Sequence, residues 1–89
     1  MKLKYRFVLR EVSGQSVAVA VGMDHSSFNG MVKLNRTGAF LMELLNEKDM
    51  SREELLEALL ERYDVTGQRA AENLDAFLNT LRQGGLLQE

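Results

Sequence analysis

The spacing of apolar residues changes once along this chain, and that change limits the folds it can form. Before Asn35 they recur at every second position, which is typical of strands with one buried face. After Asn35 they recur every three or four residues, which is typical of amphipathic helices. The 89 residues have room for one modest core. We therefore expect a single α+β domain over residues 1–89, with a three-stranded antiparallel sheet followed by three helices.

Three strands are predicted in the first part of the chain. Residues 3–9 alternate between apolar and mostly basic side chains, and a turn at Ser13-Gly14-Gln15 leads to a second alternating segment at residues 16–21. The third strand is predicted over residues 28–34, where Gly30 interrupts the inner face. Its inner face contains Phe28, Val32 and Leu34, and its outer face contains Asn29, Met31 and Lys33.

Three helices are predicted after the strands, each with a recognisable start. Asn35 or Thr37 can cap the first helix, and Thr66 can cap the third. Ser51 and Glu54 have the spacing of a capping box for the second helix. The predicted buried stripes are Phe40, Leu41, Leu44 and Leu45; then Leu55, Leu56, Leu59, Leu60 and Tyr63; then Ala70, Leu74, Phe77, Leu78 and Leu81, with Leu86 and Leu87 folded back onto the core.

Few side chains in the sequence are suited to catalysis or metal binding. There is no cysteine and one histidine, His25, which argues against disulfides, thiolate chemistry and an ordinary zinc site. His25 stands between Asp24 and Ser26, but neighbours on one loop rarely reach the geometry of a catalytic triad. The carboxylates of the second helix fit a solvated face. We therefore predict a binding module that is not an enzyme and uses no metal or cofactor.

The charge balance argues against nucleic acids and anionic membranes as partners. The sequence has 11 basic and 13 acidic residues, which gives a net charge of −2. The last two helices nevertheless have the order of a helix-turn-helix, with the strands as a wing, so a winged-helix DNA-binding regulator is one alternative. No apolar stretch approaches the ~18 residues of a membrane span, and no signal core is evident, so a cytoplasmic location is expected.

The two outer strands of the predicted sheet differ in how their edges are protected. An exposed edge invites another chain to pair with it unless charges discourage this. The third strand has Lys33 as its one charge, together with Gly30 and an outward Met31, which is the pattern expected for β-augmentation by a peptide. A helix or a second copy of the protein could equally cover this edge, so a homodimeric subunit is a further alternative. On its exposed face the first strand carries Lys2, Lys4, Arg6 and Arg10.

The third helix could contribute to the same site if it lies beside the third strand. Asn73 and Phe77 lie on one flank of its buried stripe, and Ala71, Asp75 and Arg82 lie on the other. The sequence does not decide which flank faces the strand.

Several segments of the sequence are distinctive when taken together. The most specific is Leu34-Asn35-Arg36-Thr37-Gly38-Ala39, and further segments are Leu59-Leu60, Tyr63-Asp64-Val65, Ala76-Phe77-Leu78 and Gly84-Gly85-Leu86-Leu87. Over nearly the whole chain they resemble the PqqD family, the relatives of coenzyme PQQ synthesis protein D that are also called RiPP recognition elements.

The resemblance implies a winged helix-turn-helix-like fold and an adaptor function. Family members bind the leader of a ribosomally made precursor peptide and present it to a modifying enzyme, often a radical SAM enzyme. In them the leader adds as a strand beside the third strand and lies against the third helix. The contacts implied for this chain are Phe28, Asn29, Gly30, Met31, Val32, Lys33, Leu34, Ala70, Asn73, Leu74 and Phe77.

Two positions depart from the family pattern. Met42 stands where many relatives have Trp, which fits a substitution within the core. Asn73 stands where the family often has Asp, so charge pairing with a basic leader residue is weakened here, and we favour the flank of Asn73 and Phe77 as the peptide side. The breadth of the family leaves open whether the pathway is PQQ synthesis or another peptide product.

Overall fold

The computed structural model of the protein describes residues 1–22 and 31–89. The elements are β1 (Lys2–Leu3), β2 (Arg6–Val12), β3 (Gln15–Val21), β4 (Met31–Leu34), α1 (Arg36–Glu47), α2 (Arg52–Arg62), α3 (Gly67–Gln83) and β5 (Leu87–Gln88). The predicted architecture of a three-stranded antiparallel sheet followed by three helices is confirmed, and the strand order of this main sheet is β2-β3-β4. The short strands β1 and β5 form a second, two-stranded antiparallel sheet.

The hairpin between β2 and β3 turns on two residues. Ser13 and Gly14 both have positive φ, 52° and 80°, which is the requirement of a type I′ turn, and Val12 pairs with Gln15 directly beside them. Gly14 adopts this conformation without a steric penalty, whereas Ser13 does so at some cost. The turn sets the register of β3 against β2, and β3 pairs with β4 on its other side.

The first predicted strand is two strands in the structure, which corrects the expectation of one strand over residues 3–9. The alternation of apolar residues continues, but Lys4 and Tyr5 form a bend between β1 and β2. Beyond this bend β1 pairs with β5, and the amide of Lys4 donates to the Leu86 carbonyl at 2.9 Å. The N-terminal segment therefore pairs with the C-terminal strand and is not part of the main sheet. Leu86 and Leu87 are buried next to this pairing.

One core lies between the inner face of the main sheet and the helices. The sheet contributes small and branched residues, including Ala18, Ala20 and Val32, and α3 contributes all five residues of its predicted stripe. Met42 is fully buried, as expected for a core substitution. In α2 the prediction for Leu60 is wrong, because α3 and α1 cover the side of the helix that carries Leu55 and Leu59, and Leu60 is left 41% exposed.

The helices start at the predicted caps. The Asn35 side chain accepts from the Gly38 amide at 2.8 Å, and the Thr66 hydroxyl accepts from the Arg69 amide at 3.1 Å. Both hydrogen bonds of the Ser51 capping box are present. Among the described residues, no helix is both long enough and apolar enough to cross a membrane.

Candidate functional site

A side chain of α1 bonds to the β2 edge of the main sheet at Phe7. Asn46 accepts from the Phe7 amide at 3.0 Å and donates to the Phe7 carbonyl at 2.6 Å. Its amide group thus occupies the two hydrogen-bonding positions that an added strand would use at this residue. The β2 edge is protected at Phe7 by this pair of bonds as well as by the predicted charges on Arg6 and Arg10.

The pattern of backbone directions can be followed from this edge across the sheet. Backbone groups of successive residues in a strand point to opposite sides. The backbone groups of Phe7 point outward from β2, so those of Val8 point toward its partner Val19 on β3. The backbone groups of Ala18, which is adjacent to Val19, point the other way, toward its partner Val32 on β4. The N–H and C=O of Lys33, the next residue, therefore point away from β3 to the outer edge of β4, which we call the open edge because no other strand of the described residues pairs with it.

A groove runs between this open edge and α3. It has a volume of about 140 Å³. Side chains from α3 form one wall, the last residues of β4 form the other, and the first turn of α1 closes one end. The lining residues are Lys33, Leu34, Asn35, Gly38, Asn73, Ala76, Phe77 and Thr80.

The orientation of α3 is fixed by a contact on its far side. The Arg52 guanidinium of α2 donates to both carboxylate oxygens of Asp75, at 2.9 and 3.1 Å, and this hydrogen bonding lowers the pKa of Asp75 from its ordinary value. The flank with Asp75 consequently faces α2, and the flank with Asn73 and Phe77 lines the groove. This is the arrangement that the sequence left undecided.

Gly38 explains part of the most specific sequence segment. A Cβ atom at this position would lie 3.0 Å from the Asn35 carboxamide oxygen and 3.3 Å from a methyl group of Leu34. A side chain here would require the Asn35 carboxamide and the Leu34 side chain to shift by a few tenths of an ångström, so glycine suits the close packing of the first turn of α1 against the end of β4. The packing brings α1 to the end of the groove.

A second contact holds the end of β4 in place. The side-chain amide of Gln15 donates to the Leu34 carbonyl at 2.7 Å, across from the start of β3. The Gln15 side chain thus adds a bond at the end of β4, beside the register pair of Ser16 and Leu34.

The predicted contact residues fall into three groups. Lys33, Leu34, Asn73 and Phe77 line the groove, and Met31 and Val32 lie in the same strand. Ala70 and Leu74 are fully buried, so they hold α3 in the core and have no exposed surface that a bound peptide could contact. Phe28, Asn29 and Gly30 lie outside the described residues, as does the segment with His25.

Several residues at the site were missed by sequence reasoning. Ala76 and Thr80 line the groove, and a signal for them existed, because they lie three and seven residues after Asn73 on the same helix. Gln15 and Asn46 act through long-range hydrogen bonds to residues 19 and 39 positions away. No local pattern distinguishes these two residues from other polar residues at the surface.

Comparisons with known proteins agree with this architecture. The family model described as "Coenzyme PQQ synthesis protein D (PqqD)" matches residues 7–87. Among solved structures, TbiB1 in complex with the TbiA(beta) leader peptide is similar with a TM-score of 0.70 and 24% identity, covering 99% of this chain and 95% of that one. Lasso peptide synthetase B1 complexed with the leader peptide is similar with a TM-score of 0.67 and 19% identity, covering 99% and 96%. No curated protein sequence matches.

Proposed function

Because this chain belongs to the family of coenzyme PQQ synthesis protein D, we propose that it is an adaptor for the leader segment of a ribosomally made precursor peptide. The leader adds as a strand to the open edge of β4 and lies against α3. The adaptor has no catalytic role of its own and presents the bound peptide to a peptide-modifying enzyme, of which a radical SAM enzyme is one type. The family match confirms the resemblance found in the sequence.

The observation that carries this proposal is the outward-pointing backbone of Lys33 in front of the α3 groove. An added strand forms its main-chain hydrogen bonds with such groups, and pockets for alternate side chains provide specificity. The groove lies where the inward side chains of a guest strand would point. Both similar structures are complexes with leader peptides, which supports a peptide as the guest.

The lining of the groove indicates which contacts a leader would make. Phe77 and Ala76 provide apolar surface, while Asn73 and Thr80 provide neutral hydrogen-bonding groups. Lys33 is the one ionisable residue among those that line the groove. An apolar side chain with neutral or acidic neighbours therefore fits this groove better than a basic one.

The alternative of a DNA-binding regulator is less well supported. Three side chains of α3 are suited to DNA contact, those of Gln68, Arg69 and Arg82, and two of them are engaged with carboxylates. Arg82 forms an ion pair with Glu89 at 2.9 Å, and Gln68 donates to Glu72 at 3.4 Å. Recognition of a major groove needs such side chains to reach base edges. The homodimeric alternative, in which β4 pairs with its own copy, would use the same edge as the leader.

The proposal is tested by removing a single amide. Lys33→Pro deletes an N–H that points to the open edge, and it leaves the hydrogen bonds between β3 and β4 in place. Leader segments of candidate precursor peptides would be synthesised and titrated into the isotope-labelled protein, with affinity and chemical-shift changes measured. We expect the original chain to bind with shifts in β4 and on the Asn73 flank of α3, and Lys33→Pro to bind at least about tenfold more weakly.

Two variants serve as controls for this test. Lys33→Ala removes the side chain but keeps the amide, so it should retain most of the affinity. Glu11→Pro places a proline at an outward-pointing amide on the opposite edge, in β2, and should also retain it. A proline at Val32 would be a poor choice, because its amide points to β3 and its loss would disrupt the sheet. Equal leader affinity in folded Lys33→Pro and Lys33→Ala would contradict strand addition at β4.

A further inference from the structure

The large apolar side chains exposed in the described part of the chain fall into two patches. Six such residues are present. Four of them lie on the face of the main sheet that is turned away from the helices, and two lie at the C-terminal end of α2. They are Val8, Val12, Val21 and Met31 on the sheet, and Leu60 and Val65 at α2.

The sheet patch, which we call the outer sheet face, is organised in rows across the strands. Val8, Val19 and Met31 are register partners and form an apolar row. The neighbouring row consists of Arg10, Val17 and Lys33, so a basic residue flanks Val17 on each adjacent strand. The surface is concave, with a volume of about 730 Å³, and its lining residues include these two cations and no carboxylate. An apolar strip with a basic border results.

The second patch has the opposite charge on its border. Leu60 is exposed on α2 and lies next to the half-buried Leu56, one turn earlier. Glu57, three residues before Leu60, and Glu53, three residues before Leu56, are neighbours of this pair on the same face of the helix, and both are exposed. The nearby Arg62 is directed to the ring of Tyr63, with 5.5 Å between its guanidinium carbon and the ring centroid. We call this surface, Leu56 and Leu60 with its acidic border, the α2 patch.

We propose that the α2 patch of one copy of this protein docks on the outer sheet face of a second copy. Leu60 would enter the apolar row of the sheet, and the carboxylates beside it would meet Arg10 and Lys33. Opposite charges around two apolar surfaces favour this pairing over its alternatives. Two outer sheet faces packed on each other would bring their cations together, and two α2 patches would bring their carboxylates together.

The geometry makes this contact head-to-tail, with different surfaces on the two partners. Each copy that donates its α2 patch keeps its own outer sheet face available, so association continues beyond a dimer as the concentration rises. The contact uses side chains on a face of the sheet, whereas leader binding is proposed for the backbone at its edge. The inference goes beyond the proposed adaptor function and does not depend on it.

Self-association of the purified protein tests the proposal. Sedimentation analysis over increasing concentration should show assemblies that grow with concentration. Raising the salt from about 50 to about 500 mM NaCl should weaken them, since ion pairs at an exposed border are screened. Leu60→Gln, which removes the apolar contact and retains a good helix former, should abolish association over the range in which the original chain associates.

A mixing experiment distinguishes head-to-tail contact from a symmetric one. Val8→Glu/Val12→Glu disables the outer sheet face but keeps the α2 patch, and Leu60→Gln does the reverse. Each variant alone should be monomeric, and the mixture should form a one-to-one dimer that grows no further. All three positions are exposed, so unchanged circular dichroism should accompany these substitutions.

Three results would overturn the proposal. The first is a monomeric original chain at every concentration and salt level tested. The second is association of Leu60→Gln to the same extent as the original chain, which would indicate sheet-to-sheet pairing. The third is a mixture of the two monomeric variants that stays monomeric. Loss of leader binding by Lys33→Pro is measured separately and has no bearing on these results.

Discussion

The two edges of the main sheet differ in whether their outward backbone groups have hydrogen-bond partners. On β2, the outward backbone groups of Phe7 are bonded to the side chain of Asn46, and the strand carries Arg6 and Arg10. On β4, the outward backbone groups of Lys33 face a groove lined by Asn73 and Phe77. An amide that imitates a neighbouring strand occupies the β2 edge at Phe7, whereas the β4 edge at Lys33 has no such partner among the described residues.

The difference shows that the two edges of this sheet are protected to different extents. An unprotected edge is an aggregation hazard, and proteins usually protect both. Here the β2 edge is bonded to a side chain at Phe7, and the outward groups of Lys33 on β4 have no such bond to another described residue. The groove beside Lys33 is the feature that would make binding at this edge specific for the proposed guest.

The largest expected effect concerns the β2 edge. Asn46→Ala leaves the Phe7 N–H and C=O without partners in a partly buried position, and the higher helix propensity of alanine offsets little of this cost. We expect the free energy of unfolding to fall by about 2 kcal/mol, measured by urea denaturation. The open β2 edge should also make the variant more prone to self-association at high concentration.

The neighbouring residue provides a matched control. Glu47 is exposed at the end of α1, and Glu47→Ala should change the free energy of unfolding by no more than about 0.5 kcal/mol. If Asn46→Ala and Glu47→Ala have the same stability, the pair of hydrogen bonds does not protect the β2 edge.

A smaller effect is expected at the open edge. Gln15→Ala removes the bond from the Gln15 side chain to the Leu34 carbonyl and should lower the free energy of unfolding by about 1 kcal/mol. The loss should be local, so hydrogen exchange should accelerate in β4 more than in the helices. Gln15→Glu, which retains the length of the side chain but cannot donate, should behave like Gln15→Ala. Normal exchange in β4 of both variants would show that the strand needs no such support.

The fold was predictable because its signals are local. The change of apolar spacing at Asn35, the caps at Asn35, Ser51 and Thr66, and the stripe of α3 each depend on residues within a few positions of one another. The family resemblance of the segment around Gly38 is explained by close packing of α1 on β4. The contrast between the edges was also visible, because Lys33 is the one charge in residues 31–34.

The remaining features depend on contacts between distant segments. The pairing of β1 with β5 joins residues at opposite ends of the chain, and alternation in residues 3–9 cannot reveal it. The exposure of Leu60 depends on where α1 and α3 pack against α2. The role of Asn46 depends on the position of Phe7, and an asparagine near the end of a helix more often suggests a cap.

The smallest expected effect is the pH dependence of stability, which arises from carboxyl groups outside the groove. The pKa values of four carboxyl groups are lowered from their ordinary values by hydrogen bonds: that of Asp49 by the N-terminal amine, that of Glu54 by Ser51, that of Asp75 by Arg52, and that of Glu89 by Arg82. A lowered folded-state pKa contributes stability above the unfolded-state value, near 4, and this stability is lost as the pH falls through the folded-state value. None of these groups lines the groove.

We therefore expect stability to be constant above about pH 5 and to decline modestly below about pH 4, because these carboxyl groups are exposed and their pairs are weak. Asp75→Asn should make this decline shallower, as measured by urea denaturation at several pH values. None of the groups with a lowered pKa lines the groove, so a neutral leader without titratable groups should bind with the same affinity at pH 7 and at pH 5. A loss of its affinity between these two values would mean that a group titrating in this range, as histidine does and an ordinary carboxyl group does not, contributes to binding.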